Sequence, residues 1–518
     1  MLGCMAWDYI PVDRDQRFLL PPDMAEWLPE GHLVWFVVDV VAALDLSALH
    51  ARHPGGRGRA AYHPAMMLGL LVYAYCCGVY SSRKIERLCE TDAAFRVLCA
   101  DNRPDHGTIA RFRQAHTEDM AELFCQVLEL CRRQGLGEVA LVALDGSRVA
   151  ASASGAANRR RSWIRDEVER MMGEAERVDR EEDDLFGDRR GDEVPEGLGP
   201  RGAERVARLR ECLRQMDEER TRREQRSEER EAREDEAATE GARMTGRKPK
   251  GPGPDPVREA ERQVVRLRAR RDAAVARRER VERDCMAKGR RPHGPKPDFA
   301  RWDGLIADAE AETARARAQP PVRRCPDPRD DNRVANLTDP DSRVMHTAGG
   351  WLQGYNAQAA VSADQVVVAA AVTNNGADVT QFGPMVDAVA ANLAGAGVGL
   401  LLADAGYLSD DNLTRPGPDR LIATAKARDL PHTEDGPLPP AEEARTIEGM
   451  RRRLATKEGA ELYKRRSTIV EPVFGQVKHD RGFRRFSRRG LPAVDAEWKL
   501  LCVCHNILKL FGATVATA

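Results

Sequence analysis

Between residues 156 and 330 the sequence is dominated by Arg, Glu, Asp and Ala. Apolar side chains are so sparse there that any main core must come from the flanking segments. Weak helical periodicity runs through Val206, Leu209, Leu213 and Met216, and again through Val257, Val264, Leu267 and Val281. The stretch between them, Gly246 to Pro256, is too rich in Gly and Pro to be helical throughout. Two long charged helices joined by a flexible turn, as a coiled hairpin, is one reading. A partly disordered charged linker is the other.

The flanks differ in character. Residues 1–135 read as helical: Leu33 to Leu44 and Pro64 to Tyr80 are apolar helix candidates. Ser81 and Ser82 can cap a short helix carrying Arg83, Lys84 and Arg87. Asp105 is a good N-cap for one long helix ending at Gly135. Val139 to Leu144 is a short continuous apolar run, as expected of a strand buried on both faces. Further on, Tyr355–Val361 and Gln365–Val372 predict a hairpin turning near Ser362-Ala363-Asp364. Val379–Leu393 predicts a helix. Val398–Asp404 and Arg420–Ala425 predict two more strands, and residues 441–510 are helical and basic. The expected divisions are 1–135, a first core strand within 136–155, a charged helical insertion over 156–330, and the rest of the core over 331–518.

The net charge of −1 says nothing about nucleic acid, but its distribution does. From Arg451 to Gly490 thirteen Lys and Arg stand against four Asp and Glu, interleaved with Phe483 and Phe486. Such clustering suits a phosphate backbone, whereas a merely solvated face mixes signs, as residues 201–240 do. The twelve cysteines follow no framework spacing, and Cys502-Val-Cys504-His505 is too tight for a zinc knuckle. Reduced thiols in a cytoplasmic protein are expected. No signal peptide is expected at the start. The longest apolar run, Ala65 to Val79, is too short to span a bilayer, so no membrane partner is expected.

Three acids carry candidate chemistry. Asp145 and Asp404 each close an apolar strand, and Glu471 opens the helical stretch Glu471–Lys478. Brought to one end of a sheet, three carboxylates suit Mg²⁺. Two ions about 3.5–4 Å apart can stabilise the attacking and leaving oxygens of a phosphoryl displacement. Each residue also has a plain structural reading. Asp145 and Asp404 precede turn residues, and Glu471 before Pro472 is an ordinary first-turn acid.

Several motifs occur together and in order. Tyr463-Lys-Arg-Arg466-Ser-Thr-Ile-Val-Glu471-Pro-Val-Phe-Gly-Gln-Val-Lys478 resembles the Tyr-Arg-Glu-Lys signature of Asp-Asp-Glu insertion-sequence transposases. Leu144-Asp145-Gly146-Ser147 and Leu402-Ala-Asp404-Ala-Gly406-Tyr407 are similar to that family's two aspartate motifs. His63-Pro64 and Asp105–Arg113 resemble its N-terminal domain. One departure stands out: four residues separate Arg466 from Glu471 where the signature has three, so Arg465 competes for that role.

The resemblance implies an α/β chain: an RNase H-like catalytic core, a helical N-terminal domain that recognises DNA, and a long charged helical insertion. It implies Asp145, Asp404 and Glu471 as catalytic metal ligands for two Mg²⁺ ions, with Mn²⁺ as a substitute. It implies that Tyr463, Arg466 and Lys478 contact DNA. Arg481, Arg484 and Arg485 join them from the basic segment. The partners expected are double-stranded DNA, as terminal inverted repeats and target, and a second copy of the chain. The expected location is the cytoplasm, at the nucleoid. An inactive transposase-derived DNA-binding protein and a metal nuclease without strand transfer are the alternatives.

Overall fold

The structure is a computed structural model and describes residues 23–52, 61–186, 200–242, 255–288, 298–318, 332–347, 349–393, 395, 397–425 and 437–517. Among the described residues seven α-helices come first: α1 (Leu33–Ala42), α2 (Ser47–Ala51), α3 (Pro64–Cys76), α4 (Ser82–Thr91), α5 (Ala93–Leu98), α6 (His106–Ala115) and α7 (Met120–Arg133). Then follow β1 (Leu141–Ala150), β2 (Asn158–Arg160), α8 (Arg161–Phe186), α9 (Pro200–Thr239), α10 (Pro256–Ala287), α11 (Phe299–Ala318) and β3 (Val334–Asn336). The remainder is β4 (Arg343–Thr347), β5 (Gly350–Ser362), β6 (Val367–Thr373), α12 (Phe382–Asn392), β7 (Leu400–Ala403), α13 (Asp410–Thr414), β8 (Asp419–Ile422), α14 (Ile447–Ala455), α15 (Lys457–Gly475) and α16 (Leu491–Thr517). The chain forms two compact units, one from residues up to 156 together with 341 onward, the other from 157–340.

In the first unit a six-stranded mixed sheet has the order β4-β5-β1-β7-β8, with β6 also pairing β5. β1, β7 and β8 run parallel, and β5 is antiparallel to β1. The central strands are apolar on both faces because helices cover them: α15 packs on β1, and α12 and α16 on β6. α16 is long and apolar enough to cross a membrane, but half of its apolar stretch is buried inside the fold. α3 is apolar all round and is buried from Met67 to Cys76, packed by α1 and α16. It stops before Gly78, whose φ of +71° suits glycine; a Cβ there would lie 2.6 Å from the Arg481 carbonyl oxygen. The N-terminal helices and the sheet therefore share one hydrophobic core, from Val34 to Leu510.

The expected hairpin is present, turning through Gln365 at φ +66°. Asp105 caps α6 as expected, accepting from the Thr108 amide at 2.9 Å. The single helix predicted from Asp105 to Gly135 is instead two. The Thr117 hydroxyl donates to the Gln114 carbonyl, and the side chains of His116 and Asp119 pair in the interior at 2.7 Å, which turns the chain between α6 and α7.

The second unit contains four described helices rather than the two predicted. Ile164 and Val168 of α8 pack on Leu209, Cys212 and Met216 of α9. Val264 and Leu267 of α10 pack on Ile306 and Ala309 of α11. Between α9 and α10 charge does what apolar area does elsewhere: Arg262, buried, meets Glu234 and Asp235, each at 2.7 Å. Asp255 and Pro256 open α10 as cap and first residue. The predicted turn over 246–254 lies outside the described residues. The unit's two ends meet, since β2 pairs antiparallel with β3 and the Leu337 amide donates to the Ala157 carbonyl at 3.1 Å.

Candidate active site

Asp145 does not close its strand. β1 runs on to Ala150, because Gly146 to Ala150 keep pairing with β5 down to Gly354. Asp145 thus sits mid-strand, at the level where the neighbouring parallel strand β7 ends. Leu144 is in register with Ala403, so Asp145 and Asp404 occupy the next level side by side. Asp404 leaves β7 and caps the short turn 405–407, accepting from the Gly406 amide at 2.9 Å.

Burial raises the Asp145 carboxyl to about 6; Arg466 pulls it back and the charge of Asp404 pushes it up further. Asp404 is raised too, first by burial, with Asp378 adding to the rise. Two carboxylates that resist ionising together form a site that favours a cation. Arg466 supplies one: its Nη1 lies 3.0 Å from Asp145 Oδ2 and its Nη2 3.7 Å from Glu471 Oε1.

Tyr463, Arg466 and Glu471 all lie on α15. Glu471 was expected to open a helix; instead it lies near the end of α15, with Pro472 inside that helix. The proline is tolerated because the carbonyl that loses its helical donor, that of Thr468, accepts from Gln365 Nε2 at 3.0 Å. The chain then widens into a π-type turn, Gln476–Asp480, which directs Lys478 at β1. Its Nζ donates to Ser147 Oγ at 2.5 Å and to the Arg148 carbonyl at 2.9 Å. Burial, then Arg148, lowers its pKa.

The three expected acids do not form one ligand cluster. Among the described residues no group of three or more His, Cys, Asp or Glu stands ready to hold a metal ion. The physical reason is Arg466: the Glu471 side chain, 61% exposed, meets that guanidinium. The aspartate pair does fit a hard divalent cation, offering carboxylate oxygens from two adjacent strands.

The basic segment divides. Arg484 and Arg485 are exposed, with Arg485 Nη1 donating to the Ala151 carbonyl at 3.2 Å. Tyr463 is buried, with its phenol pushed up by burial. Arg481, expected at the DNA, is a correction: it is 9% exposed and its Nη2 lies 3.2 Å from His505 Nδ1. Burial holds His505 neutral, with its pKa lowered to about 3, so Nδ1 accepts from Arg481 while Nε2 donates to the Gln365 carbonyl. Arg113, at the end of the Asp105–Arg113 stretch, is likewise spent inside the protein, on the Tyr75 hydroxyl, the Tyr80 carbonyl and Ser82 Oγ. Arg83, Lys84, Arg87 and Arg111 remain exposed.

Sequence reasoning passed over Asp378, Asn356, Gln358 and Arg148, which adjoin the aspartate pair. Asp378 accepts from Asn356 Nδ2 (2.6 Å) and Gln358 Nε2 (2.8 Å) and pairs with Arg148 Nη2 (3.4 Å). Two amides inside the apolar stretch Tyr355–Val361 were the available signal, since a buried strand keeps such groups only where they have partners.

Two family models match the chain: Transposase domain (DUF772) over residues 22–115 and Transposase DDE domain over residues 321–507. The chain belongs to the insertion-sequence transposases of the Asp-Asp-Glu class. No curated protein and no solved structure matches it significantly. This transposase acts on DNA as a nucleotidyl transferase or nuclease, and its DDE domain implies an RNase H-like core and use of divalent metal ions. β1, with Asp145, lies outside the matched DDE segment, separated from it by the charged helices.

Proposed function

We propose that Asp145, Asp404 and Glu471 are the three acids of this transposase and hold two Mg²⁺ ions, with Mn²⁺ able to substitute. The observation that carries the reading is the aspartate pair on adjacent parallel strands, linked through Arg466 to Glu471. Bound there, the ions would supply Lewis acidity to the attacking and leaving oxygens of a phosphodiester. The transposase hydrolyses a strand at the element end to free a 3′-OH and then joins that hydroxyl to target DNA.

In this reading Arg466 neutralises Asp145 in the metal-free protein and turns to a DNA phosphate when the carboxylates take up cations. Tyr463 holds Arg466 from the buried side. Lys478, Arg484 and Arg485 meet phosphates near the cleaved end, completing the role of the Tyr-Arg-Glu-Lys signature. Exposed Arg83, Lys84, Arg87 and Arg111 contact the terminal inverted repeats, and two copies act together on the paired ends, in the cytoplasm at the nucleoid.

The test is incubation of purified protein with a labelled element end and Mg²⁺. Asp145→Asn, Asp404→Asn and Glu471→Gln should each abolish cleavage while gel-shift affinity for the end persists, since each removes a ligand charge and little volume. Full cleavage by any one variant removes that residue from the triad.

A further inference from the structure

Asp378 opens the short turn Asp378–Gln381 ahead of α12, and among the described residues its side chain bonds to Asn356, Gln358 and Arg148 rather than to any of the three acids above. Its surroundings are nevertheless those of the site. A Cβ built on Gly146, next to Asp145, would stand 2.6 Å from Asp378 Oδ1 and 2.1 Å from Gln358 Nε2. One on Gly406, two residues after Asp404, would stand 3.4 Å from Asp378 Oδ2. The carboxylate is thus wedged between the backbones that carry both aspartates.

Its bonds run outward in three directions. Oδ1 accepts from Asn356 and Gln358, both fully buried on β5, the strand beside Asp145. Gln358 passes the constraint on, because its Oε1 accepts from the hydroxyl of Tyr407, buried in the turn that Asp404 caps. Oδ2 faces Arg148, three residues beyond Asp145, whose guanidinium also donates to the Gly376 carbonyl at 2.8 Å. The carbonyl of Arg148 is one of the two acceptors of Lys478. One carboxylate therefore ties the strand of Asp145, the turn of Asp404 and Lys478, in the π-type turn after α15, to a single point.

We infer that Asp378 is a positioning residue of the transposase: it fixes Asp145 and Asp404 at the spacing that binds a divalent cation, through Gln358–Tyr407 on one side and Arg148 on the other, without being a ligand. Its oxygens are already committed to two amides and a guanidinium. Outer partners that orient carboxylate ligands typically change metal affinity by about 10–100-fold when removed. The inference depends on the aspartate pair being the metal site, as proposed above.

The experiment is Mn²⁺ binding to the full chain without DNA, read from the resonance of free Mn²⁺, with thermal unfolding in EDTA as a check on the fold. Asp378→Asn keeps an oxygen for the two amides and should bind Mn²⁺ within about threefold of the parent. Asp378→Ala takes the acceptor from Gln358 Nε2 and leaves Asn356 Nδ2 only the Asn375 carbonyl at 3.3 Å, and should bind about tenfold or more weakly. Tyr407→Phe, which removes only the hydroxyl that grips Gln358, should weaken binding in the same direction and serves if Asp378→Ala does not fold. Loss of Mn²⁺ in Asp378→Asn equal to that in Asp145→Asn would make Asp378 a ligand and overturn the inference. Parent-like binding in both Asp378→Ala and Tyr407→Phe would also overturn it. Undiminished binding in Asp145→Asn would instead overturn the metal-site reading beneath it.

Discussion

Asp145→Asn should make the metal-free protein more stable at neutral pH, although it destroys the proposed site. Asp145 has its pKa raised from 3.8 to about 6. That gap of roughly two units corresponds to about 3 kcal/mol between the protonation states. The folded protein holds the Asp145 proton more tightly than the unfolded chain does. Between about pH 4 and pH 6 the folded state therefore binds more protons, and stability falls as pH rises. Above about pH 6 both states are ionised and the whole cost is present. An asparagine carries no such cost. By the same linkage about half of the penalty has developed at pH 5, so the advantage of the variant should widen by about 1.5 kcal/mol between pH 5 and pH 7.5. Urea unfolding of parent and variant in EDTA at the two pH values measures it. Excess Mg²⁺ at pH 7.5 should then close the gap, because binding to the folded parent stabilises it by mass action. Curves that keep a constant separation at both pH values would refute the reasoning that Asp145 is a strained carboxylate.

Three further outcomes follow from the same geometry. Lys478→Ala should weaken binding to element ends and reduce the salt slope by about one unit, the share of one phosphate contact; an unchanged slope in a salt titration would remove Lys478 from the DNA. Gly146→Ala would set a methyl 2.1 Å from Gln358 Nε2, and thermal unfolding should show a loss of about 1–3 kcal/mol, the usual range for overpacking. Replacing residues 157–340 with a short Gly-Ser linker should leave the other unit folded by circular dichroism, because the chain enters and leaves that segment at adjacent points, Ala157 and Leu337; an unfolded product would make the charged helices part of its packing.

The strands were legible because buried parallel strands are written as unbroken apolar runs, and Val398–Ala403 and Val139–Leu144 are such runs. The hairpin and the Asp105 cap were legible for equally local reasons. Three readings went wrong where tertiary context outweighed local signal. Asp145-Gly146 reads as a turn, yet β1 continues through it because the glycine admits the side chains of Gln358 and Asp378 against its backbone. Glu471-Pro472 reads as a helix start, yet a glutamine 103 residues earlier in the chain satisfies the carbonyl that Pro472 orphans. Arg481 adds to the basic count but points inward to His505, and a count of charges carries no direction. Asp378 was passed over for a related reason: its importance lies in the two buried amides it satisfies, and those lie some twenty residues earlier, on β5.

The site depends on contacts that are distant in sequence. Arg466 reaches Asp145 across 321 residues and Lys478 reaches Ser147 across 331, with the charged helices lying between. That arrangement is thermodynamically mild, since the entropy of closing a loop grows only with the logarithm of its length. It is milder still when the segment closes on itself, as 157–340 does by pairing β2 with β3. The insertion then presents the rest of the chain with two adjacent ends rather than with a long free loop. What the site does require is that β1 meet β5 and β7 in register, because a slip of one residue would turn Asp145 to the opposite face of the sheet. Nine paired positions between β1 and β5 hold that register, and Gly146, Ser147 and Arg148 are among them. The residues that follow Asp145 are therefore part of what keeps it beside Asp404, and the continuation of the strand beyond the aspartate is a condition of the chemistry.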